Sequence, residues 1–274
     1  MPELPEVQTI VNDLKKKIIG RKIIKVWLDW ERHLKYVSPS KFRRDIRGAK
    51  ILGVSRRAKN ILISLDKKRL LLIHPKMTGR LLVVSTYKPQ KHVHLVFYLT
   101  GRKFIAFSDV RKFGKVIYGS AEKVLKLPDL KEIGPEPFDA NLSLEKFKEI
   151  ILSKNRKIKT TLMDQKIIAG IGNIYADEIL WASKIHPARI SSKLSGENIK
   201  SIFKNMRLIL GRAIQLRGTS ISDFRDTTGR IGRYSKKLMA YGKEGKLCKR
   251  CRSKIKRIKL NSRTTHYCPK CQKT

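Results

Sequence analysis

The chain has 274 residues, of which 63 are Lys or Arg and 22 are Asp or Glu, so its formal net charge is +41. This excess exceeds what solubility requires and indicates a polyanionic partner, with nucleic acid as the first candidate. No apolar run approaches the length of a membrane span, and Glu3 and Glu6 stand where a signal peptide would be apolar. We therefore expect no membrane partner and a location in the cytoplasm or nucleoid.

The first half of the chain has the pattern of a helix followed by strands. Apolar residues at helical spacing cover residues 5–19, and Gly20 ends the segment. Eight runs rich in Ile, Leu and Val follow, and their spacing predicts a β-sandwich or a flattened barrel. These runs are residues 22–30, 51–55, 61–65, 69–74, 80–85, 92–98, 103–107 and 115–118.

The second half changes to helical patterning after Gly134-Pro135-Glu136-Pro137, which has the composition of a linker. A polar stretch with glycines at 218–232 then predicts a loop. The predicted helices before this loop are residues 143–153, 157–165, 173–184 and 196–216.

All four cysteines lie near the end of the chain, as Cys248-x2-Cys251 and Cys268-x2-Cys271. Two pairs at this separation match a four-thiolate zinc site, which stabilises structure and leaves no open position for water. The alternative is two disulfides, which would require an oxidising compartment that nothing in the sequence indicates.

Between the cysteine pairs, alternating apolar residues and the turn Asn261-Ser262 predict a β-hairpin with Arg263 close to its tip. The predicted fold class is α+β and multidomain, with an N-terminal β-sandwich, a leading helix, and a C-terminal helical domain that ends in a zinc-finger hairpin. We divide the chain into a sandwich domain at 1–133, a linker at 134–140, a helical DNA-binding domain at 141–240 and a zinc finger at 241–274.

The N-terminus carries residues suited to covalent chemistry. Removal of Met1 would leave Pro2 with a free secondary amine, which condenses with the C1′ aldehyde of a deoxyribose to form an iminium. Glu3 would supply a carboxylate within reach for proton transfer. An N-terminal proline alone is more often a consequence of start-codon context, so this interpretation depends on the rest of the chain.

Two segments in the middle of the chain have the composition of phosphate contacts. Residues 165–178 form a Gly-rich turn that opens a helix, where unpaired N–H groups attract anions, and Asn173 there is either a helix cap or a phosphate ligand. Residues 56–60 form a basic turn between two strands, for which the alternative is a solvated hairpin tip.

Two further loops, 74–79 and 107–114, each follow a predicted strand. Met77 and Phe113 in these loops would ordinarily be core residues. On a surface facing DNA they would instead wedge into the base stack, and Arg111 would pair with the base left without a partner.

Together, the start Pro-Glu-Leu-Pro-Glu-Val, the segment 170–178 and the four-cysteine finger resemble the formamidopyrimidine-DNA glycosylase family over the whole chain. The resemblance implies a helix–two-turns–helix element in the helical domain. It also implies a bifunctional enzyme of base-excision DNA repair. Such an enzyme removes oxidised purines (8-oxoguanine and formamidopyrimidines) from duplex DNA and cleaves the abasic site by β,δ-elimination through a proline Schiff base.

Two alternatives remain open at this point. Leu4 favours this branch over the sister endonuclease VIII, whose members begin Pro-Glu-Gly-Pro-Glu and act on oxidised pyrimidines. The other alternative is a zinc-containing DNA-binding protein without catalysis, which would leave Pro2 and Glu3 unexplained.

The resemblance implies a role for individual residues. Pro2 resembles the nucleophile and Glu3 the acid/base, and Lys59 and Arg263 complete the implied catalytic set. The implied base pocket contains Glu6 with Thr219 and Ser220 of the loop that closes over the base. The implied DNA-binding residues are Met77, His92, Arg111, Phe113, Lys159 and Asn173.

The resemblance further implies one structural zinc ion, no organic cofactor, and duplex DNA with oxidised bases as the partner. We expect a monomer, because one chain supplies the whole implied site. Two departures from the family pattern stand out: Lys112 replaces a common arginine, and Pro75-Lys76 replaces a common Leu-Gly before Met77.

Overall fold

The structure is a computed structural model that describes residues 1–221 and 223–273. Its contacts divide the chain into two compact units. The first unit comprises Met1–Lys131 and Leu216–Arg233, and the second comprises Glu132–Gln215 and Tyr234–Thr274. The loop predicted at 218–232 thus groups with the first unit, although it follows the helices in sequence. The four-part division made from the sequence stays a prediction.

The leading helix α1 spans Leu4–Ile18 and confirms the helix predicted at 5–19. Its apolar stripe faces the core, since Val7, Ile10, Leu14 and Ile18 have no exposed surface. The helix packs against strands of the first unit, so its N-terminal turn is held by burial of the turns that follow.

The first unit is rich in strands, and every predicted run overlaps one. The strands are β1 (Ile23–Leu28), β2 (Leu34–Lys35), β3 (Ile51–Arg57), β4 (Asn60–Leu65), β5 (Arg69–His74), β6 (Arg80–Val84), β7 (Val93–Leu99), β8 (Lys103–Ser108) and β9 (Lys115–Ser120). The sequence did not predict β2 or the short helices α2 (Pro39–Ile46), α3 (Ala121–Lys126) and α4 (Pro128–Lys131).

These strands form two sheets, in the orders β1-β7-β8-β6 and β2-β9-β5-β4-β3. All pairs are antiparallel except β2 with β9. Ile61 and Ile63 of one sheet share a buried core with Phe97 and Phe107 of the other. This packing confirms the predicted β-sandwich.

One end of the five-stranded sheet carries two of the predicted functional segments. Arg57 of β3 pairs with Asn60 of β4, so Ala58 and Lys59 form a two-residue turn in which Ala58 has a φ of +50°. Since β4 and β5 are antiparallel neighbours, the end of β5 at His74 lies at the same end of the sheet as this turn. The loop that carries Met77 therefore begins beside Lys59.

The second unit is helical and confirms the pattern predicted after the linker. Its helices are α5 (Leu144–Leu152), α6 (Ile158–Met163), α7 (Asn173–Ala182) and α8 (Gly196–Gln215). The predicted hairpin is present as β10 (Lys256–Leu260) and β11 (Arg263–Tyr267), joined through Asn261 and Ser262. Helix α7 packs against α6, α8 and β11.

Across the described residues, no helix combines the length and the apolar composition that crossing a membrane would require.

Candidate active site

The first turn of α1 fixes the N-terminal residues. Glu3 is the N-cap, and its backbone N–H donates to Oε2 of Glu6 at 2.8 Å within a reciprocal capping box. Pro2 is buried, and Glu3 and Glu6 are 3% and 1% exposed. The predicted nucleophile and acid/base therefore lie at the start of a rigid helix and not on a frayed terminus.

The second oxygen of the same carboxylate binds the loop at 218–232, which the family resemblance predicts to close over the damaged base. Oε1 of Glu6 accepts a hydrogen bond from the backbone N–H of Thr219 at 2.6 Å. Gly218 precedes it with a φ of +79°, and a Cβ there would stand 2.8 Å from that oxygen. Only glycine allows this approach, so α1 and the segment Leu216–Arg233 are joined directly at the predicted base pocket.

A partly buried ionic network anchors the two ends of this segment. Arg217 donates to Asp13 of α1 and to Asp226, both at 2.7 Å. Asp226 also accepts from the backbone N–H groups of Thr228 and Arg230 at 2.8 and 3.0 Å. Burial opposes ionisation of Asp226, but the hydrogen bonds from Thr228 and Arg217 outweigh it and lower its pKa to about 2.

Further contacts attach the same segment to α1 and to the sheet. Lys17 donates to Oγ1 of Thr227 at 2.8 Å, and the carbonyl of Thr227 accepts from the N–H of Val83 at 2.9 Å. Ser220 donates to the carbonyl of Phe224 at 2.8 Å and accepts from the N–H of Gly232 at 2.8 Å. The hydroxyl of Ser220 therefore stabilises the segment itself.

The predicted wedge residues come together on the surface of the first unit. Nη1 of Arg111 lies 3.2 Å from Sδ of Met77, and its guanidinium lies 4.8 Å from the centre of the Phe113 ring. Met77 and Phe113 are 37% and 55% exposed. Neither is a core residue, so the alternative interpretation of these two side chains is wrong.

Lys76, the unusual residue before Met77, adopts a left-handed conformation with a φ of +53°. Its backbone N–H donates to Nδ1 of His74 at 2.9 Å. This hydrogen bond offsets the free-energy cost of a left-handed conformation, which glycine would adopt more readily. Burial, followed by the charges of Lys76 and Lys59, lowers the pKa of His74 to about 3. The imidazole is therefore neutral and able to accept this bond.

The turn residue Lys59 is only 4% exposed. The basic turn is therefore not the solvated hairpin tip that the sequence left open. Lys59 lies beside the start of the loop that carries Met77, because strand β4, which follows Lys59, pairs with β5, which ends at His74. The last residue of the first unit that the family resemblance predicts to bind DNA is His92. It has a φ of +67°, and its carbonyl accepts from the N–H of Asp109 at 2.8 Å.

In the second unit, Lys159 is 1% exposed and its ammonium is bonded inside the protein. Nζ lies 2.6 Å from Oδ1 of Asp177 and donates to the carbonyl of Thr264 at 3.1 Å and to Oγ1 of Thr265 at 2.9 Å. Oδ2 of Asp177 accepts from the N–H of His266 at 2.8 Å. A buried ion pair thus connects α6, α7 and the hairpin strand β11.

The same hairpin gathers the other predicted phosphate contacts. Nδ2 of Asn173 donates to the carbonyl of Thr264 at 3.1 Å, next to the exposed Arg263. Gly172, and not Asn173, is the N-cap of α7, so the capping role considered for Asn173 is wrong. The structure therefore brings Lys159, Asn173 and Arg263 together at one end of the hairpin.

The four cysteine sulfurs of the finger all lie within 4.8 Å of one another. The sulfurs of Cys251 and Cys268 are 3.3 Å apart, too far for a disulfide and close to the ~3.8 Å that a tetrahedral zinc site requires. Two thiols, Cys248 and Cys268, are buried. The donor set fits one Zn²⁺ and does not fit the disulfide alternative.

Sequence reasoning gave no role to several acids that organise these sites. Asp13 and Asp226 anchor the segment Leu216–Arg233, and Asp177 anchors the hairpin. Glu178 accepts from the backbone N–H groups of residues 239–241 at 2.8–2.9 Å and holds the chain that enters the finger. For Asp13, Asp177 and Glu178 the available signal was an acid within a helix otherwise rich in apolar or basic residues, whereas Asp226 lies in a loop.

We expect the substitution Lys159→Met to lower the free energy of unfolding by about 3–5 kcal/mol, because it leaves Asp177 buried without its cation. The matched control is Lys166→Met, which removes an exposed pair with Glu132 and should lower the free energy of unfolding far less. Urea unfolding of both variants measures the difference. Equal losses would show that the Lys159 pair behaves as a surface contact.

We expect the stability contributed by Asp226 to be lost on acidification. Its pKa of about 2 in the folded chain lies below the ~3.9 of an unfolded aspartate, so its contribution is complete above about pH 5 and declines towards pH 2. Asp226→Asn should therefore be less stable than the parent at pH 7 and should show a flatter decline between pH 5 and 2.5. An unchanged slope would contradict the assigned pKa.

Three family models match the chain. Residues 1–116 match the formamidopyrimidine-DNA glycosylase N-terminal domain, and residues 133–225 match the formamidopyrimidine-DNA glycosylase H2TH domain. Residues 245–274 match a zinc finger found in FPG and IleRS. With the four clustered thiols, the last match assigns one structural zinc ion to the chain.

Known proteins resemble the chain along its whole length. The formamidopyrimidine-DNA glycosylase of Carboxydothermus hydrogenoformans is 41% identical over 274 residues and covers 100% of both chains. That of Herpetosiphon aurantiacus is 39% identical, over 99% of this chain and 100% of the relative. A complex of Lactococcus lactis Fpg with abasic-site DNA has a TM-score of 0.93 at 35% identity, over 99% of this chain and 100% of that one. The chain therefore belongs to the formamidopyrimidine-DNA glycosylase family.

Proposed function

We propose that this chain is a bifunctional base-excision repair enzyme that removes oxidised purines from duplex DNA and then cleaves the abasic site. The observation that carries the proposal is the Glu6 carboxylate, which binds Glu3 beside Pro2 with one oxygen and Thr219 with the other. Family membership supports the reaction class. Solved Lactococcus lactis relatives are described in complex with DNA that contains an abasic site or Fapy-dG. These similarities do not favour the alternative of a binding protein without catalysis or of an endonuclease VIII-like enzyme.

The first step is capture of DNA by the cationic surface. A net charge of +41 gives strong, sequence-independent attraction to phosphates, and this attraction weakens steeply with salt. Such binding allows the protein to move along the duplex before it meets a lesion. We propose duplex DNA with oxidised bases as the substrate and a single chain as the working unit.

The second step is opening of the DNA duplex by Met77, Arg111 and Phe113. Their mutual contacts form an exposed cluster with apolar edges and a guanidinium in the centre. Apolar side chains of this kind unstack a base step, while the guanidinium donates to the base left without a partner. Extrusion costs least at a damaged pair, which contributes to selection of the lesion.

The third step is chemistry at the N-terminus, and it requires removal of Met1. The freed amine of Pro2 attacks C1′ of the flipped nucleotide, and the bond from C1′ to the base breaks with the electron pair leaving on the base. Glu3 transfers protons during opening of the sugar ring. The resulting iminium acidifies C2′, so the 3′ phosphate leaves by β-elimination and the 5′ phosphate by δ-elimination.

Phosphates on either side of the flipped nucleotide need partners that carry positive charge or donate hydrogen bonds. Lys59 supplies one in the first unit, and Asn173 and Arg263 supply others in the second. Lys159 acts differently in this proposal, because its ammonium is buried against Asp177. It positions the hairpin that carries Arg263, and the zinc ion stabilises that hairpin from its other end.

The direct test is a borohydride trapping experiment with duplex DNA that contains 8-oxoguanine opposite cytosine. We expect a reduced covalent adduct that mass spectrometry locates on Pro2, because borohydride reduces the iminium to a stable amine. A form that retains Met1 should bind the same DNA and give no adduct, since its amine is displaced by one residue.

Two other results would change the assignment. Binding of damaged DNA without an adduct or strand cleavage by the processed chain would contradict an enzyme. An adduct that forms only with oxidised pyrimidines would contradict the proposed substrate class and favour an endonuclease VIII-like activity.

A further inference from the structure

We propose that Asp109 is a positioning residue whose carboxylate clamps the two loops that carry Met77, Arg111 and Phe113, so that the wedge is assembled before DNA arrives. This inference rests on the proposed function, in which these three side chains open the duplex. Asp109 itself is fully buried, so its carboxylate acts through the loops and not by contact with DNA.

The clamp is a continuous chain of hydrogen bonds. Thr78 of the first loop donates from Oγ1 to Oδ1 of Asp109 at 2.5 Å, and Gly114 of the second loop donates from its backbone to Oδ2 at 2.6 Å. The same Oγ1 of Thr78 accepts from the backbone N–H of Arg111 at 3.1 Å. The residues next to Met77 and Phe113, and Arg111 itself, are therefore bonded to one network.

The ring of Phe107 provides the surface on which both loops rest. A Cβ on Gly79 would lie 2.8 Å from this ring, and a Cβ on Gly114 would lie 2.5 Å from it. Phe107 has no exposed surface. Glycine at both positions therefore lets the backbones of the two loops approach one buried side chain and stay at a fixed separation.

The interior side of the carboxylate is also occupied. Nε2 of His33, a fully buried residue, lies 3.5 Å from Oδ2 of Asp109, and its ring packs on Phe107 at 5.3 Å between centres. The backbone N–H of Asp109 donates to the carbonyl of His92 at 2.8 Å. Contacts with His33 and Thr78 overcome the effect of burial and lower the pKa of Asp109 to about 2, so the carboxylate is charged at neutral pH.

A charged acceptor is suited to this task because it forms stronger hydrogen bonds than a neutral one. The wedge side chains are exposed and would otherwise sample many rotamers, and ordering them on DNA would reduce affinity. Fixing the two backbones in advance removes part of that cost. The clamp therefore acts on opening of the duplex and not on the chemical steps.

The test uses Thr78→Val, which removes the central hydroxyl and nearly preserves the shape of the side chain. We expect excision of 8-oxoguanine opposite cytosine under single-turnover conditions to fall about tenfold. Thr78→Ser keeps the hydroxyl and should restore most of the rate. The matched control is Thr100→Val, which removes a hydroxyl that accepts from Lys22 elsewhere in the same unit and should leave the rate unchanged.

A mutant cycle separates positioning from general stability. In a background with Met77, Arg111 and Phe113 all replaced by alanine, Thr78→Val should lower the remaining rate less than twofold, because the three side chains that the clamp positions are already gone. A tenfold loss in both backgrounds, or no loss in either, would overturn the proposal. If Thr78→Val reduces the folded fraction, Asp109→Asn takes its place in the same cycle, with the same results expected.

A binding measurement keeps this proposal distinct from the proposed function. A 2-aminopurine placed opposite an abasic analogue fluoresces when the wedge unstacks it, and this signal requires no excision. Thr78→Val should reduce the fluorescence change at saturating protein, and the full change would contradict the clamp. Absence of excision by the parent chain with a normal fluorescence change would contradict the proposed function alone.

Discussion

The arrangement of the first unit depends on the buried carboxylate of Glu6. A polar group removed from water is stable only when its hydrogen-bonding positions are filled, and each oxygen of Glu6 accepts a backbone N–H. The two donors, Glu3 and Thr219, are more than 200 residues apart in sequence. One side chain therefore fixes both the start of the chain and the segment predicted to cover the base. Gly218 permits the contact because it lacks a Cβ that would collide with the carboxylate.

The same logic explains how a chain of charge +41 builds ordered sites. Its few acids are not spread evenly over the surface, because several are buried where loops must be held. Asp226 fixes the segment Leu216–Arg233, Asp177 fixes the zinc hairpin, and Asp109 fixes the wedge loops. Apart from the buried Lys59 and Lys159, the Lys and Arg side chains of the described residues are at least partly exposed, while buried carboxylates bind backbone N–H groups inside. Surface charge and internal order are therefore assigned largely to different residues.

The sequence predicted most of the long elements, because their apolar periodicity is strong. Helix α1, the strands of the sandwich, the helices of the second unit and the hairpin around Asn261 and Ser262 all follow from local pattern. Strand β2 and the short helices α2, α3 and α4 did not. Strand β2 has only two residues, and each of these helices is too short to repeat an apolar pattern at helical spacing. Their positions are set by packing and not by local preference.

The candidate site was predictable in part. The four cysteines could be identified from type and spacing, whereas the role predicted for Pro2 depends on the family resemblance of the whole chain. The burial of Lys159 could not, because it depends on Asp177 and on a hairpin about one hundred residues later. The left-handed conformation of Lys76 also escaped prediction, since its compensation comes from the ring of His74. Long-range pairing of polar groups leaves little trace in a single sequence.

The most direct test of the central claim is amide hydrogen exchange, measured residue by residue by NMR, in the parent chain and in Glu6→Ala. If one carboxylate holds both ends of this arrangement, exchange at Glu3 and at Thr219 should accelerate together, while amides of the second unit such as His266 remain unchanged. Faster exchange at Glu3 with unchanged protection at Thr219 would contradict the account, because the segment Leu216–Arg233 would then be held without Glu6.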